Sequence, residues 1–442
     1  MKHPLPDEVR SAVDGHRMMA ELTELARWVK LSGTAEELEG LRYLRSRLDE
    51  AGYRTEILTH EAYISLPGPA RVLVDGVSLT AITHSMSRPS APGGTIGRLA
   101  DMGSGEAARI AAQDVRGAIL LVRGIASPDV ALNASRAGAA GVLHVSPHEH
   151  LHEMCISPVW GNPSPETVDS LPSVTVCTIS RADGDALAAR LTAGEAPPVE
   201  LHSEVDTGWR PTPILVAELD PLDGGPDTPF ILLSGHQDTW YHGVMDNGSA
   251  NIAMVEVARA CAAQRGGWRR GLRICFWSGH SHGRYSGSAW YADQNWAELE
   301  RRCAAHVNID SPGGVGATVL TDSGCMAPLN GLAADAIQAE TGQVHLGKRK
   351  NRNSDESFPG IGIPSMFGSI SMQPMPPSGM RNALGWWWHT PEDLLDKLDE
   401  ANLARDTRIL LHATWRLLSD PVLPLDHAAQ ASSLLTELGA LQ

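Results

Sequence analysis

The sequence predicts an α/β fold: a mostly parallel mixed sheet flanked by helices, with a smaller α/β unit inserted into it. Three observations carry that expectation. Short apolar runs of strand length, "FILLSG", "LRICFW", "AHVNID" and "IPSMFG", show almost no polar alternation, as strands covered on both faces require. Helix-length segments separate them (Ser249 to Gln264, Trp290 to Arg302, Asn330 to Thr341), and that alternation builds parallel sheets. From about Arg71 to Thr207 the texture shifts to Gly, Ala and Pro, with a strand-then-helix order of its own. At 442 residues the chain exceeds one ordinary core. The expected division is 1–68 with 208–442 as the larger domain and 69–207 as the insertion.

The elements follow in order. Thr34 and Glu37 form a capping box ahead of Leu38, Leu41, Leu44 and Leu48 at helical spacing, and Gly52 supplies the stop. "YRTEILTHEAYI" alternates as a strand, and "SLPGPA" is expected to end it. Within the insertion, "GAILLVRG" is a buried strand, and "DVALNASRAGAAGVLHVS" is a helix, a turn and a second strand. "LPSVTVCTIS" with "RADGDALAARL" repeats the pattern. The tail "NLARDTRILLHATWRLLSD" is an amphipathic helix.

Composition narrows the function. With Lys plus Arg 36 against Asp plus Glu 52, the net charge of −16 disfavours nucleic acid and anionic membranes as partners. The N-terminal stretch has charges throughout and lacks the apolar core of a secretory signal, and no window reaches the roughly 18 to 20 apolar residues of a membrane span. Six scattered cysteines without a CxxC pair read as reduced, buried thiols of a cytoplasmic protein. Apolar Trp- and Pro-rich stretches late in the chain suggest a homo-oligomer.

In parallel sheets ligands gather at the carboxyl ends of the strands. "FILLSG" runs into His236, with Asp238 two residues on; Asp246 and Asn247 stand just before a helix; "AHVNID" ends in Asp310. "WWWHTPED" adds His389, with Asp393 four residues on. Imidazoles with carboxylates suit zinc, manganese, cobalt or iron(II) better than calcium or magnesium. The Asp238 carboxylate is placed to take the other N–H of His236. Each residue has a plain reading too: a satisfied strand-end histidine, an N-cap at Asn247, a helix start at Asp393. Four ligand-type residues on one sheet edge favour the metal reading.

Five stretches in order, "SGHQDTWYHGVMDNGSANIAMVEVAR", "FWSGHSHGRYSGSAWYAD", "AHVNIDSPG", "NSDESFPGIGIPS" and "WWWHTPEDLLDKLD", resemble the motifs of the co-catalytic zinc aminopeptidase family, which includes glutamate carboxypeptidases and the transferrin receptor. "VRGAILLVRGIASPDVALNASRAGAAGVLHV" resembles the protease-associated domain many members carry. The resemblance implies a first metal position of His236, Asp246 and Asp310, and a second that shares Asp246 and adds His389 and a Glu. That Glu normally neighbours the general base as a Glu-Glu pair. Here the matching residues are His280 and Ser281, and "RYSGS" is one residue longer than the usual loop.

The missing carboxylates shape the functional expectation. Fewer anionic ligands hold a second cation less tightly, so one catalytic manganese or zinc ion per chain is expected. His280 is the foremost proton carrier, beside Ser281 and with His282 and His242 in reserve, because an imidazole near a cation stays a neutral base. Arg284 and Tyr285 are placed to hold a substrate carboxylate, unless Arg284 pairs with a surface acid. Trp388 offers a flat surface for substrate, as His242 offers a polar contact, although core packing explains two of the three consecutive indoles equally well. His148, His150 and His152 read as an exposed loop, or as substrate contacts if the insertion lids the site. The expected activity is metal-dependent hydrolysis of a C–N bond in a small, carboxylate-bearing substrate by activated water, an amide or an aryl amine. A family relative that hydrolyses the ring amine of 5-nitroanthranilate fits that departure. The alternatives are an aminopeptidase with an altered His/Ser pair and an inactive binding protein on a peptidase fold.

Overall fold

The computed structural model describes residues 5–347, 354–374 and 383–441. Among them eleven strands form one continuous sheet: β1 (Arg54–Val74), β2 (Val77–Thr83), β3 (Thr95–Asp101), β4 (Ile119–Arg123), β5 (Gly141–Val145), β6 (Thr175–Ile179), β7 (Pro198–Leu219), β8 (Phe230–His236), β9 (Gly271–Trp277), β10 (Cys303–Asp310) and β11 (Ser365–Ser369). The order is β1-β2-β6-β5-β4-β3-β7-β9-β8-β10-β11, with β1 also paired to β7.

Two parallel blocks meet at a long antiparallel ribbon. In the larger block β9, β8, β10 and β11 run parallel, and every residue of β8 and β9 is buried, as the unbroken apolar runs predict. Helices Ala250–Ala263 and Glu400–Ser419 pack on one face within the main core, and Ile214, Trp277, Leu299 and Phe358 fill the other. In the smaller block β3, β4, β5 and β6 run parallel, with helices Pro128–Arg136 and Arg181–Thr192 on opposite faces in two separate cores. The ribbon pairs Arg54–Val74 with Val199–Glu218. Both strands run on through the expected domain boundaries, with a register shift between Pro67 and Ala70 at the first.

Three expectations change. "SLPGPA" does not end its strand: the ribbon continues, and a register shift between Pro67 and Ala70 absorbs the two prolines, which have no N–H for the ladder. The helix expected over Trp290 to Arg302 is two helices, Ser286–Gln294 and Trp296–Arg302. They part at Asn295, whose side-chain amide donates to Tyr291 O at 3.0 Å and competes with the helical ladder. A final helix, His427–Leu441, buries none of its residues and was not anticipated. The Thr34 cap is as expected, accepting from Glu37 N, and Gly52 stands at φ +87°. All six cysteines are buried free thiols. Among the described residues no helix is long and apolar enough to cross a membrane.

Candidate metal centre

The carboxyl edge of the larger block collects the ligand-type side chains. His236 closes β8 and Asp310 closes β10, side by side because those strands are paired. Asp246 sits in the irregular turn before helix Ala250–Ala263. The Asp393 carboxylate holds that turn by accepting Met245 N at 2.9 Å and Asp246 N at 3.0 Å. Asn247 does not cap the helix. It clamps the turn to the end of β10 by donating to Ile309 O and accepting from Ser311 N.

Four predicted ligands converge. His236 Nε2 lies 3.1 Å from Asp246 Oδ1 and 3.7 Å from Asp310 Oδ1, and His389 Nε2 lies 2.9 Å from Asp246 Oδ2. His236 Nε2 and Asp246 Oδ1 are both buried and have no hydrogen-bond partner beyond this mutual contact. Two ligand-type atoms that face only each other in the interior leave lone pairs that a cation between them would satisfy. Imidazole nitrogen with carboxylate oxygen is a donor set for a divalent transition ion, so the residues fit one. Electrostatics agrees. Burial opposes charging His236, yet Asp246 and Asp310 outweigh it and hold its pKa well above the usual imidazole value. Burial likewise opposes ionising Asp246, and the two histidines pull its pKa well below the carboxylate range. The pocket favours positive charge.

Surrounding groups fix how the ligands face. His236 Nδ1–H donates to the backbone carbonyl of Asp238 at 2.8 Å. The Asp238 carboxylate, 3.9 Å away, is not its partner as expected. That carboxylate instead accepts from Ser281 N at 2.8 Å, His280 N at 3.3 Å and Ser32 Oγ at 2.5 Å, and so shapes the 278–286 loop. Asp310 accepts the Ser354 hydroxyl on Oδ2 at 3.0 Å. His389 donates through Nδ1 to the Glu153 carbonyl at 2.7 Å, a contact from the segment between β5 and β6. The histidine loop is therefore structural rather than exposed throughout. His150 N donates to His148 Nδ1 and His148 Nε2 meets His152 Nε2 at 2.9 Å, while His152 Nδ1 bonds the carbonyl of Trp388, beside the ligand. Burial lowers the His152 pKa to about 3, which keeps that imidazole neutral.

Comparison with known proteins places the surrounding domain in a family. Residues 215–414 match the family model described as Peptidase family M28. This domain belongs to peptidase family M28. A Zea mays protein described as a probable glutamate carboxypeptidase is 26% identical over 233 residues, 48% of this chain and 32% of that one. The chain thus spans about a third of the length of that curated relative. A mouse (Mus musculus) aminopeptidase is 27% identical over 85 residues, 18% of this chain and 11% of its own. Among solved structures, an Aneurinibacillus aminopeptidase superposes with a TM-score of 0.70 at 22% identity, covering 94% of this chain and 98% of that one. A Shewanella amazonensis M28 peptidase precursor gives 0.73 at 17%, covering 94% and 95%. The mixed sheet with its flanking helices is the shared architecture.

Within this M28 domain the remaining predicted residues separate into two groups. His280 is at the centre, its ring stacked on that of His236 with centroids 3.6 Å apart. Tyr285 meets the His280 ring edge-on at 4.8 Å, and Trp160, between β5 and β6, packs on Tyr285 at 4.2 Å. Arg284 extends over Tyr285, 5.0 Å from its centroid, with no carboxylate partner among the described residues. Trp388 stacks on His389 at 3.5 Å. Other residues serve the framework. Ser281 Oγ is buried without a partner, and His282 is fully buried with Nδ1 on Ser32. Burial takes the His282 pKa down to about 3. His242 donates through Nδ1 to Ala26 O, and its own carbonyl takes Lys30 Nζ, so it ties down the N-terminal segment rather than facing the ligands. Of the three indoles Trp387 is core and Trp386 stacks on His150. Sequence reasoning missed Ser32, Glu153, Trp160, Ser354 and Asp355. The "NSDES" stretch carried the last two, but no periodicity marks an isolated Ser-Asp as site-facing.

Proposed function

We propose that this chain is a metal-dependent hydrolase that cleaves the C–N bond of a small, carboxylate-bearing substrate. One divalent ion, zinc or manganese, would be held by His236, Asp246, Asp310 and His389. When bound, the ion supplies Lewis acidity for water attack on carbon. The observation that carries the reading is buried His236 Nε2 facing Asp246 Oδ1 at 3.1 Å, with no other partner for either atom. Asp246 and Asp310 carry two negative charges, which one divalent cation neutralises. No acidic residue lies between Phe276 and Tyr291 to help hold a second. Half-buried Arg284 would anchor the substrate carboxylate through its forked donors. Tyr285, with Trp160 packed on it at 4.2 Å, would give an aromatic wall for an aryl ring. Residues 69–207 would act as an inserted protease-associated-like unit that completes this wall and buttresses His389.

An aminopeptidase or carboxypeptidase activity is the second reading, favoured by the descriptions of the relatives. A panel of aminoacyl and dipeptide substrates against anthranilate-type aryl amines and amides, with and without added manganese or zinc, separates the two. Metal-dependent turnover of the aryl compounds, abolished in His236→Ala, is the expected result. Turnover of peptides alone replaces the substrate assignment. Activity that survives His236→Ala overturns the metal reading, and no turnover of any compound favours a binding protein.

A further inference from the structure

The Asp355 carboxylate is fully buried, and its Oδ2 lies 2.9 Å from His280 Nδ1. Its other oxygen has no hydrogen-bond partner. A buried carboxylate with a single imidazole contact is costly unless that imidazole carries or faces positive charge. His280 faces such a place, because one ring nitrogen of His280, one of His236 and one oxygen of Asp310 all lie within 4.8 Å of one another.

We infer that His280 is a ligand of the metal and that Asp355 is the positioning residue that makes it one. A carboxylate at Nδ1 accepts that N–H and leaves the Nε2 lone pair free, the arrangement of a carboxylate–imidazole–metal triad. Asp238 fixes the backbone of the same loop through His280 N and Ser281 N. Asp355 thus acts on the ring alone. The inference rests on the metal-dependent reading above and sharpens it. Where the family's pattern puts a carboxylate in direct contact with the metal sites, this chain puts a neutral imidazole there and moves the negative charge one group outward. His280 then has both nitrogens engaged, which replaces its expected role as proton carrier.

Cobalt(II) titration of the full-length protein, followed by visible absorption and by competition for Kd, tests this without reference to turnover. Asp355→Asn and His280→Ala should each weaken cobalt binding by about 10- to 100-fold and change the absorption bands. In the His280→Ala background, adding Asp355→Asn should cost nothing further. Pulsed EPR of the manganese-loaded protein should count one fewer coordinated imidazole in His280→Ala than in the parent. That count decides the ligand assignment even if Asp355→Asn fails to fold. An unchanged imidazole count, or an equal loss from Asp355→Asn with and without His280, overturns the inference. A parent protein that takes up neither ion defeats the metal reading itself, whereas tight binding indifferent to both positions defeats only this step.

Discussion

Arg284 is the residue whose role is most open to a direct measurement. Its guanidinium is half-buried over Tyr285, and its carbonyl is fixed by Gly161 N at 2.7 Å, so the loop presents it in one place. A charge-assisted bond to a substrate carboxylate contributes about 1.5–3 kcal/mol. Arg284→Ala should therefore raise KM roughly 10- to 100-fold for a carboxylate-bearing substrate and leave its uncharged analogue unaffected. Equal losses on both compounds would show that Arg284 supports the loop and not the substrate. Ser32 makes the contrasting case of a residue with a framework role. Its hydroxyl joins the Asp238 carboxylate to His282 Nδ1 in a fully buried cluster. Ser32→Ala leaves Asp238 one donor short and should cost about 1–3 kcal/mol in urea unfolding.

At the scale of elements, the loop from Ser278 to Ser286 decides the site, and its glycines decide the loop. Gly279 sits at φ +74°, and a Cβ there would lie 2.0 Å from Ser286 Oγ. Gly279→Ala would add a left-handed backbone penalty to that clash. We expect more than about 1 kcal/mol of destabilisation together with loss of cobalt binding. Normal binding and stability in that variant would show the loop to be pliant. The same loop marks where the sequence stops being informative. The buried strands β8 to β11 and their helices were legible because runs apolar on every residue must be covered on both faces. His236, Asp246, Asp310 and His389 were legible because strand ends set their edge. Asp355, Glu153 and Trp160 were not, since each reaches the site from a segment distant in the chain, and Glu153 acts through a backbone carbonyl that any residue could supply. The strand through Pro67 was misjudged because local proline chemistry was weighed without the ribbon partner that could absorb it.

The whole molecule carries an unusual load of buried ionisable groups, which sets how the metal-free protein responds to acid. Burial lowers the pKa of six buried histidines: His60 and His144 to about 4, His152, His282 and His306 to about 3, and His84 well below the usual value. Unfolded, each titrates near 6.5, so the unfolded chain takes up protons first and stability falls as pH drops through 6.5. Burial raises four carboxyls, Glu153 and Asp393 to about 7 and Glu37 and Asp406 in the same direction. These hold protons in the folded state that the unfolded chain has lost, so they add stability as pH falls from 7 towards 4. His236, held protonated in the metal-free fold, sides with the carboxyls; six groups against five leave the histidines ahead, and the urea midpoint of metal-free protein should be lower at pH 5 than at pH 7. Replacing His144, which bonds only Gly124 O through its ring, by Gln should flatten that slope by about 1.4 kcal/mol per pH unit. A midpoint that climbs towards pH 5 would mean that the buried carboxyls dominate. Saturating divalent ion should raise the curve at neutral pH, by about 2.7 kcal/mol at a hundred times Kd. The gain should shrink in acid, because the ion must displace the proton that Asp246 and Asp310 hold on His236.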